Sequence, residues 1–174
     1  MPPKTTIKGL IIMNIDDPIK KLLIVSHSPS QNTKLLSQHM LEAAILANND
    51  YQEPIEISLI AALEASPNDV LKANAIILMT PENLGYMSGG MKDFFDRIYY
   101  PCLEEMQGLP ICALIRAGQD GTGTKRALET ITTGLKWRWV QDPLICRGKW
   151  SPGFIRQAEE LAQAMTIALH EGII

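Results

Sequence analysis

Leu22-Leu23-Ile24-Val25-Ser26-His27-Ser28-Pro29-Ser30-Gln31-Asn32-Thr33 passes from four consecutive apolar residues directly into a cluster of hydroxyl and amide side chains. An unbroken apolar run of this length has no solvent-facing side, so it belongs in a strand buried on both faces, as in a parallel sheet covered by helices. The polar residues behind it lead into a helical pattern entered at Lys34. Ile76-Ile77-Leu78-Met79 and Ile111-Cys112-Ala113-Leu114-Ile115 have the same character. Two weaker runs differ. Ile55-Glu56-Ile57-Ser58-Leu59 alternates, and residues 140–146 contain Pro143, which cannot donate to a central ladder. Both read as edge strands.

Helical spacing fills the gaps. Leu36, Met40, Ala43 and Ala47 share a face, as do Met91, Phe94, Phe95 and Ile98. Leu128, Ile131 and Leu135 form a third stripe, and Ile155, Ala162 and Leu169 a fourth. A short helix is expected at residues 68–73. Five alternations of strand and helix imply right-handed βαβ units. With the first, third and fourth strands central, the order is 2-1-3-4-5. The expected fold is therefore α/β, a flavodoxin-like three-layer sandwich around a five-stranded parallel sheet. Its ligand would sit beyond the carboxyl ends of the strands, near the switch point between strands one and three.

The chain has 174 residues, enough for one domain with a sizeable core. That domain is expected at residues 21–174. Residues 1–20, with a short Leu10-Ile11-Ile12-Met13 patch, read as an extension outside the core, either loose or as an added edge strand or dimer arm. No apolar run reaches the ~20 residues of a membrane helix, and no secretory leader is recognisable, so the expected location is cytoplasmic. A formal charge of -3 argues against nucleic-acid binding. Cys102, Cys112 and Cys146 are an odd, sparse set without a Cys-x-x-Cys pair, which suits a reducing cytosol better than a disulfide framework, and His27, His39 and His170 lack metal-ligand spacing.

Three loops converge at the expected site. In the first, residues 26–33, the five polar side chains of Ser28, Ser30, Gln31, Asn32 and Thr33 stand where backbone N–H groups point outward from a helix amino terminus. One such residue suffices for capping; five suit a phosphate. The second is Thr80-Pro81-Glu82-Asn83-Leu84-Gly85-Tyr86-Met87-Ser88-Gly89-Gly90, ahead of a helix at residues 91–100. The third, Arg116-Ala117-Gly118-Gln119-Asp120-Gly121-Thr122-Gly123-Thr124, has three glycines that allow backbone to lie against a flat ligand. Their spacing matches neither the dinucleotide fingerprint nor a triphosphate loop. Asp93 and Asp96 read as a solvated face paired with Lys92 or Arg97. Arg116, Lys125 and Arg126 could meet a nicotinamide phosphate or simply face solvent.

Ser28-Pro29-Ser30-Gln31-Asn32-Thr33 resembles the phosphate loop of flavodoxin-family proteins, commonly Ser/Thr-x-Ser/Thr-Gly-Asn-Thr, with Gln31 in place of the frequent glycine. The second loop and Met91-Lys92-Asp93-Phe94-Phe95-Asp96-Arg97 are similar to the corresponding segment of NAD(P)H-dependent FMN reductases and tryptophan-repressor-binding-protein-like quinone reductases. The resemblance implies FMN as cofactor and NAD(P)H as co-substrate. Ser28, Ser30, Gln31, Asn32 and Thr33 would hold the phosphate. Pro81, Glu82, Asn83, Leu84, Gly85 and Tyr86 would pass along the ring. Ala117, Gly118, Asp120 and Gly121 would meet its pyrimidine end, where N–H groups stabilise charge on reduction.

The expected activity is electron transfer from reduced nicotinamide through FMN to a quinone or other small-molecule acceptor, without a catalytic side chain. The alternative is a flavodoxin-type carrier, which is usually more acidic and stacks aromatics on the ring. A response-regulator domain would need acids at the ends of strands one and three, where Val25-Ser26 and Thr80-Pro81 stand. By analogy the assembly is a homodimer or homotetramer. Tyr99, Tyr100, Pro101, Trp137 and Trp139 are candidates for its surface, or equally for the core.

Overall fold

The computed structural model describes residues 18–174. In chain order its elements are β1 (Lys21–Ser26), α1 (Gln31–Asn48), β2 (Glu56–Ala61), α2 (Pro67–Leu71), β3 (Ala75–Asn83) and β4 (Tyr86–Met87). They continue with α3 (Gly89–Cys102), β5 (Pro110–Ala117), α4 (Thr122–Gly134), β6 (Arg138–Trp139), β7 (Leu144–Arg147) and α5 (Gly153–His170). The reading of an extension before the domain falls largely on residues 1–17, outside the described residues.

β1, β3 and β5 form the centre of a parallel sheet, with β2 on one side and β6 and β7 on the other. This is the expected 2-1-3-4-5 order, the last position being shared by two short strands. β6 pairs with the start of β5 and β7 with its end. The single edge strand expected at residues 140–146 is thus interrupted, and Pro143 lies in the gap, where its missing N–H costs no ladder bond.

Alternate residues of each central strand feed two cores. Leu22, Ile24, Ile77 and Met79 pack with Leu36 and Met40 of α1 and Leu161, Ala162 and Met165 of α5. Leu23, Val25, Ile76 and Leu78 pack with Phe94, Phe95 and Ile98 of α3 and Leu128 of α4. Both faces of the central strands are therefore dry, which is why their sequences show no alternation. Trp137 is buried against Phe95, and Trp139 is half-buried with its Nε1 donating to Thr132 Oγ1 at 2.9 Å. The tryptophans belong to the domain's own packing, whereas Tyr100 is exposed.

Arg97 fixes α3 to the chain that follows β2. Its guanidinium donates to the carbonyls of Ala62 and Ala65, and its Nε pairs with Asp93 at 2.7 Å. Lys92 pairs with Asp96, so both aspartates are the solvated, paired face expected of them.

The three cysteines are buried and free. Burial pushes the Cys112 thiol far up and that of Cys146 up to about 11, and raises Cys102 as well. Thiolate is the reactive form. The folded protein is expected to show no reaction with an aromatic disulfide reagent at pH 8 on the minute scale, and three equivalents after denaturation. Fast labelling of the native chain would show local opening around α3 or β7.

Candidate functional site

The carboxyl ends of β1, β3 and β5 lead into three loops at one end of the sheet. α1 begins at Gln31, three residues before the Lys34 start expected from sequence. The cause is a capping box. Ser30 Oγ accepts from Thr33 N at 3.2 Å, and Thr33 Oγ1 accepts from Ser30 N at 3.0 Å. Thr33 is buried and also donates to the Ser30 carbonyl. Ser28 turns inward to Ser26, Ser37 and the Met79 sulfur.

Most of the hydroxyls in this loop therefore shape it. What faces outward is the first turn of α1, with the exposed side chains of Gln31 and Asn32. That turn contains no acidic residue. Its unpaired N–H groups and partial positive charge suit an anion.

The second loop, read as an open loop from sequence, is a hairpin. β3 continues through Pro81 and Glu82 to Asn83, and β4 pairs back on it, Glu82 with Met87 and Asn83 with Tyr86. The two-residue turn between them is Leu84-Gly85, with φ of 54° and 75°. Positive φ at both positions is the type I′ arrangement, which favours Asn-Gly. Leucine in the left-handed region costs about 1–2 kcal/mol, and here its side chain is fully exposed, so no packing offsets the cost. Leu84→Asn is expected to raise stability by about 1 kcal/mol, or about 2–4 °C in Tm for a chain of this size. An unchanged or lowered Tm would mean that Leu84 makes contacts in solution that it lacks here.

Behind the hairpin, Thr80 Oγ1 accepts from Ser88 N and bonds Ser88 Oγ, fixing the entry to α3. Gly90, in its first turn, carries the His27 ring, since a Cβ there would stand 2.4 Å from Cδ2. His27 thus joins the first loop to the second. Burial lowers its pKa, so the imidazole is neutral near pH 7.

The third loop holds its own shape. Asp120 accepts from Thr122 N and Thr122 Oγ1, both at 2.9 Å, and the Asp120 carbonyl accepts from Arg147 Nε. The hydrogen bonds from Thr122 lower the Asp120 pKa. Gly123 Cα lies against the hairpin turn, where a Cβ would come within 1.9 Å of the Gly85 oxygen. Gly118 has nothing within 4 Å of where its Cβ would be. Arg116 points away from any ligand role: its guanidinium donates to the carbonyls of Ala117, Cys146 and Gly148 and lies over the Phe154 ring. Lys125 is near Glu129 and Asp142.

The loops thus form one continuous rim, linked by His27 on Gly90 and by Gly85 on Gly123. Of the residues singled out in the sequence, Gln31, Asn32, Asn83, Leu84, Gly85, Tyr86, Gly118 and Asp120 are exposed along it. Pro81, Ala117 and Gly121 are buried supports, as is Thr33. His27 and Gly123 were missed as site residues. A histidine directly after a buried strand is a usable signal for the first; no local pattern marks the second, whose neighbour is 38 residues away in sequence.

The model of the family described as NADPH-dependent FMN reductase matches residues 21–151. The chain belongs to that family. It is also 31% identical over 115 residues to a protein named flavodoxin from Aquifex aeolicus (strain VF5), spanning 66% of this chain and 60% of that relative's length. An archaeal flavodoxin structure superposes with a TM-score of 0.72 at 16% identity, covering 86% of this chain and 99% of the other. A flavodoxin, WrbA-like protein from Agrobacterium tumefaciens gives 0.67 at 17%, covering 87% and 98%. Rubredoxin oxygen:oxidoreductase from Desulfovibrio gigas gives 0.70 at 15%, with this chain spanning 37% of its length.

The residues present fit the cofactor in the family's name. An NADPH-dependent FMN reductase needs a seat for a phosphate dianion, and α1 offers an acid-free amino terminus. It also needs acceptors for ring N–H groups, and Glu82 Oε2 is buried with no donor among the described residues. A flat ring needs backbone without side-chain obstruction, and the surroundings of Gly85 and Gly118 are open. No helix among the described residues is long and apolar enough to cross a membrane.

Proposed function

We propose that this chain is an FMN-dependent oxidoreductase, oxidising NAD(P)H and delivering electrons to a quinone or another small acceptor, in the cytoplasm and as a homodimer or homotetramer. The family membership carries the reading, and the acid-free first turn of α1 beside two unobstructed backbone turns supports it. FMN, when bound, supplies the redox chemistry, accepting hydride from a nicotinamide and releasing electrons onward.

The chain's part is binding and orientation. The N–H groups of Gln31 and Asn32, with the Asn32 amide, hold the phosphate. The backbone of residues 81–86 lies along the ring, with the Glu82 carboxylate accepting a ring N–H. Amides of residues 117–121 stabilise negative charge at the pyrimidine end. The Gly85–Gly123 contact sets the spacing between these two walls, and Tyr86, exposed beside the hairpin turn, would cover a ring edge.

A second reading has its own support, since the Aquifex relative is named a flavodoxin: an electron carrier that does not itself oxidise nicotinamide. Anaerobic addition of NADPH or NADH to the FMN-loaded protein separates the two. Bleaching of the retained flavin band within seconds is expected of the oxidoreductase. A retained band that neither nucleotide bleaches, while dithionite does, overturns that activity in favour of the carrier.

A further inference from the structure

Beside the phosphate turn, on the side away from the hairpin, a cavity of about 390 Å³ opens between the first half of α1 and the end of β2. It is contiguous with the turn through Ser28 and Pro29. Its outer wall is apolar, made by Leu59 and Ala61 of β2 and by Leu63 just beyond. Lys34 is its one charged lining residue, and no carboxylate lines it. The volume falls within the range of small-molecule sites, about 300–1,000 Å³.

β2 is the edge strand, and among the described residues no element covers its outer half, so Leu63 stays 59% exposed and Ala61 is exposed as well. Isolated exposed apolar residues need no explanation, but here they line a concave surface that continues from an anion-binding turn. A flavin monophosphate held by that turn would end there, outside the cavity. A ligand that continues past its first phosphate enters it.

We infer that the site is extended and takes a flavin joined through a pyrophosphate to adenosine, so that the chain holds flavin adenine dinucleotide as well as FMN. This rests on the flavin reading above. The added phosphate meets Lys34, and the adenine lies against Leu59, Ala61 and Leu63. The serine hydroxyls at the cavity floor bond one another and the His27 ring is packed on Gly90, so the outer wall of Leu59, Ala61 and Leu63 presents no polar side chain to a base edge. Affinity for the adenylate half then comes from apolar contact and one charge.

The test is fluorescence titration of the full chain with FMN and with flavin adenine dinucleotide, in the unaltered protein and in Ala61→Trp and Leu63→Asp. Both positions are exposed and outside the three loops, and circular dichroism checks that each variant is folded. The dinucleotide is expected to bind at least tenfold more tightly than FMN. Each variant should remove most of that advantage and leave FMN within about twofold. FMN binding with the dinucleotide equal or weaker, or variants that shift both flavins alike, would overturn the extended site and leave the FMN reading intact. Binding of neither flavin by the unaltered protein would overturn both.

Discussion

Gly123→Ala is expected to weaken flavin retention by at least a hundredfold and to lower stability at the same time. The added methyl would lie 1.9 Å from the Gly85 carbonyl oxygen, against an ordinary C···O contact of about 3.4 Å. The obstacle is backbone, so a rotamer change cannot relieve it. Either the hairpin turn retreats or the first turn of α4 does. Alanine favours a helix over glycine by up to about 1 kcal/mol, while overpacking against backbone costs about 1–3 kcal/mol, so the net loss reaches about 2 kcal/mol. Thermal melting with flavin titration measures both effects. Gly118→Ala is the contrast, because its Cβ meets nothing within 4 Å. It should leave the apoprotein's stability within about 0.5 kcal/mol and still weaken FMN binding, since the proposed site places the ring in the open space there. Unimpaired flavin binding in Gly123→Ala would remove the hairpin from the site.

Asn32→Asp should move stability and binding in opposite directions. The first turn of α1 carries no acid, and a carboxylate there interacts favourably with the helix terminus by about 0.3–1 kcal/mol. The same carboxylate repels a phosphate dianion seated on that turn. Two unit charges 4 Å apart at an effective dielectric of 20 repel by about 4 kcal/mol, and partial solvent screening brings this to about 2–3 kcal/mol. The expected result is an apoprotein whose Tm is unchanged or raised, with FMN affinity down about thirty- to 150-fold. A misfolded variant cannot give that pattern. Thr33 is unsuitable for such a test, because its hydroxyl closes the capping box and acid there would disturb the helix itself. Undiminished FMN binding by Asn32→Asp would place the phosphate elsewhere.

The fold was legible because its central strands are buried on both sides. Leu22 and Leu23 point into different cores, and both must be apolar. The edge strand was half-legible: Pro143 signalled an edge but not that the strand resumes at Leu144 after a break. The hairpin was hidden, since Leu84 is a poor signal for a left-handed turn and β4 has only two residues. The start of α1 reads late from sequence because Ser30 and Thr33 look like ligand groups within a hydroxyl-rich stretch. They close the capping box, and the phosphate seat proposed here is more backbone than side chain. Arg116 showed the opposite limit, a cation beside the expected site whose hydrogen bonds all go to structural carbonyls. Contacts such as Gly85 on Gly123 join segments far apart in sequence, and composition carries no trace of them.

The most direct test of the account is an amide NMR titration of the apoprotein with FMN. The account predicts one equivalent bound, with the largest shifts confined to residues 30–34, 81–87 and 117–124. Absence of binding, or shifts centred away from the carboxyl ends of β1, β3 and β5, would contradict it.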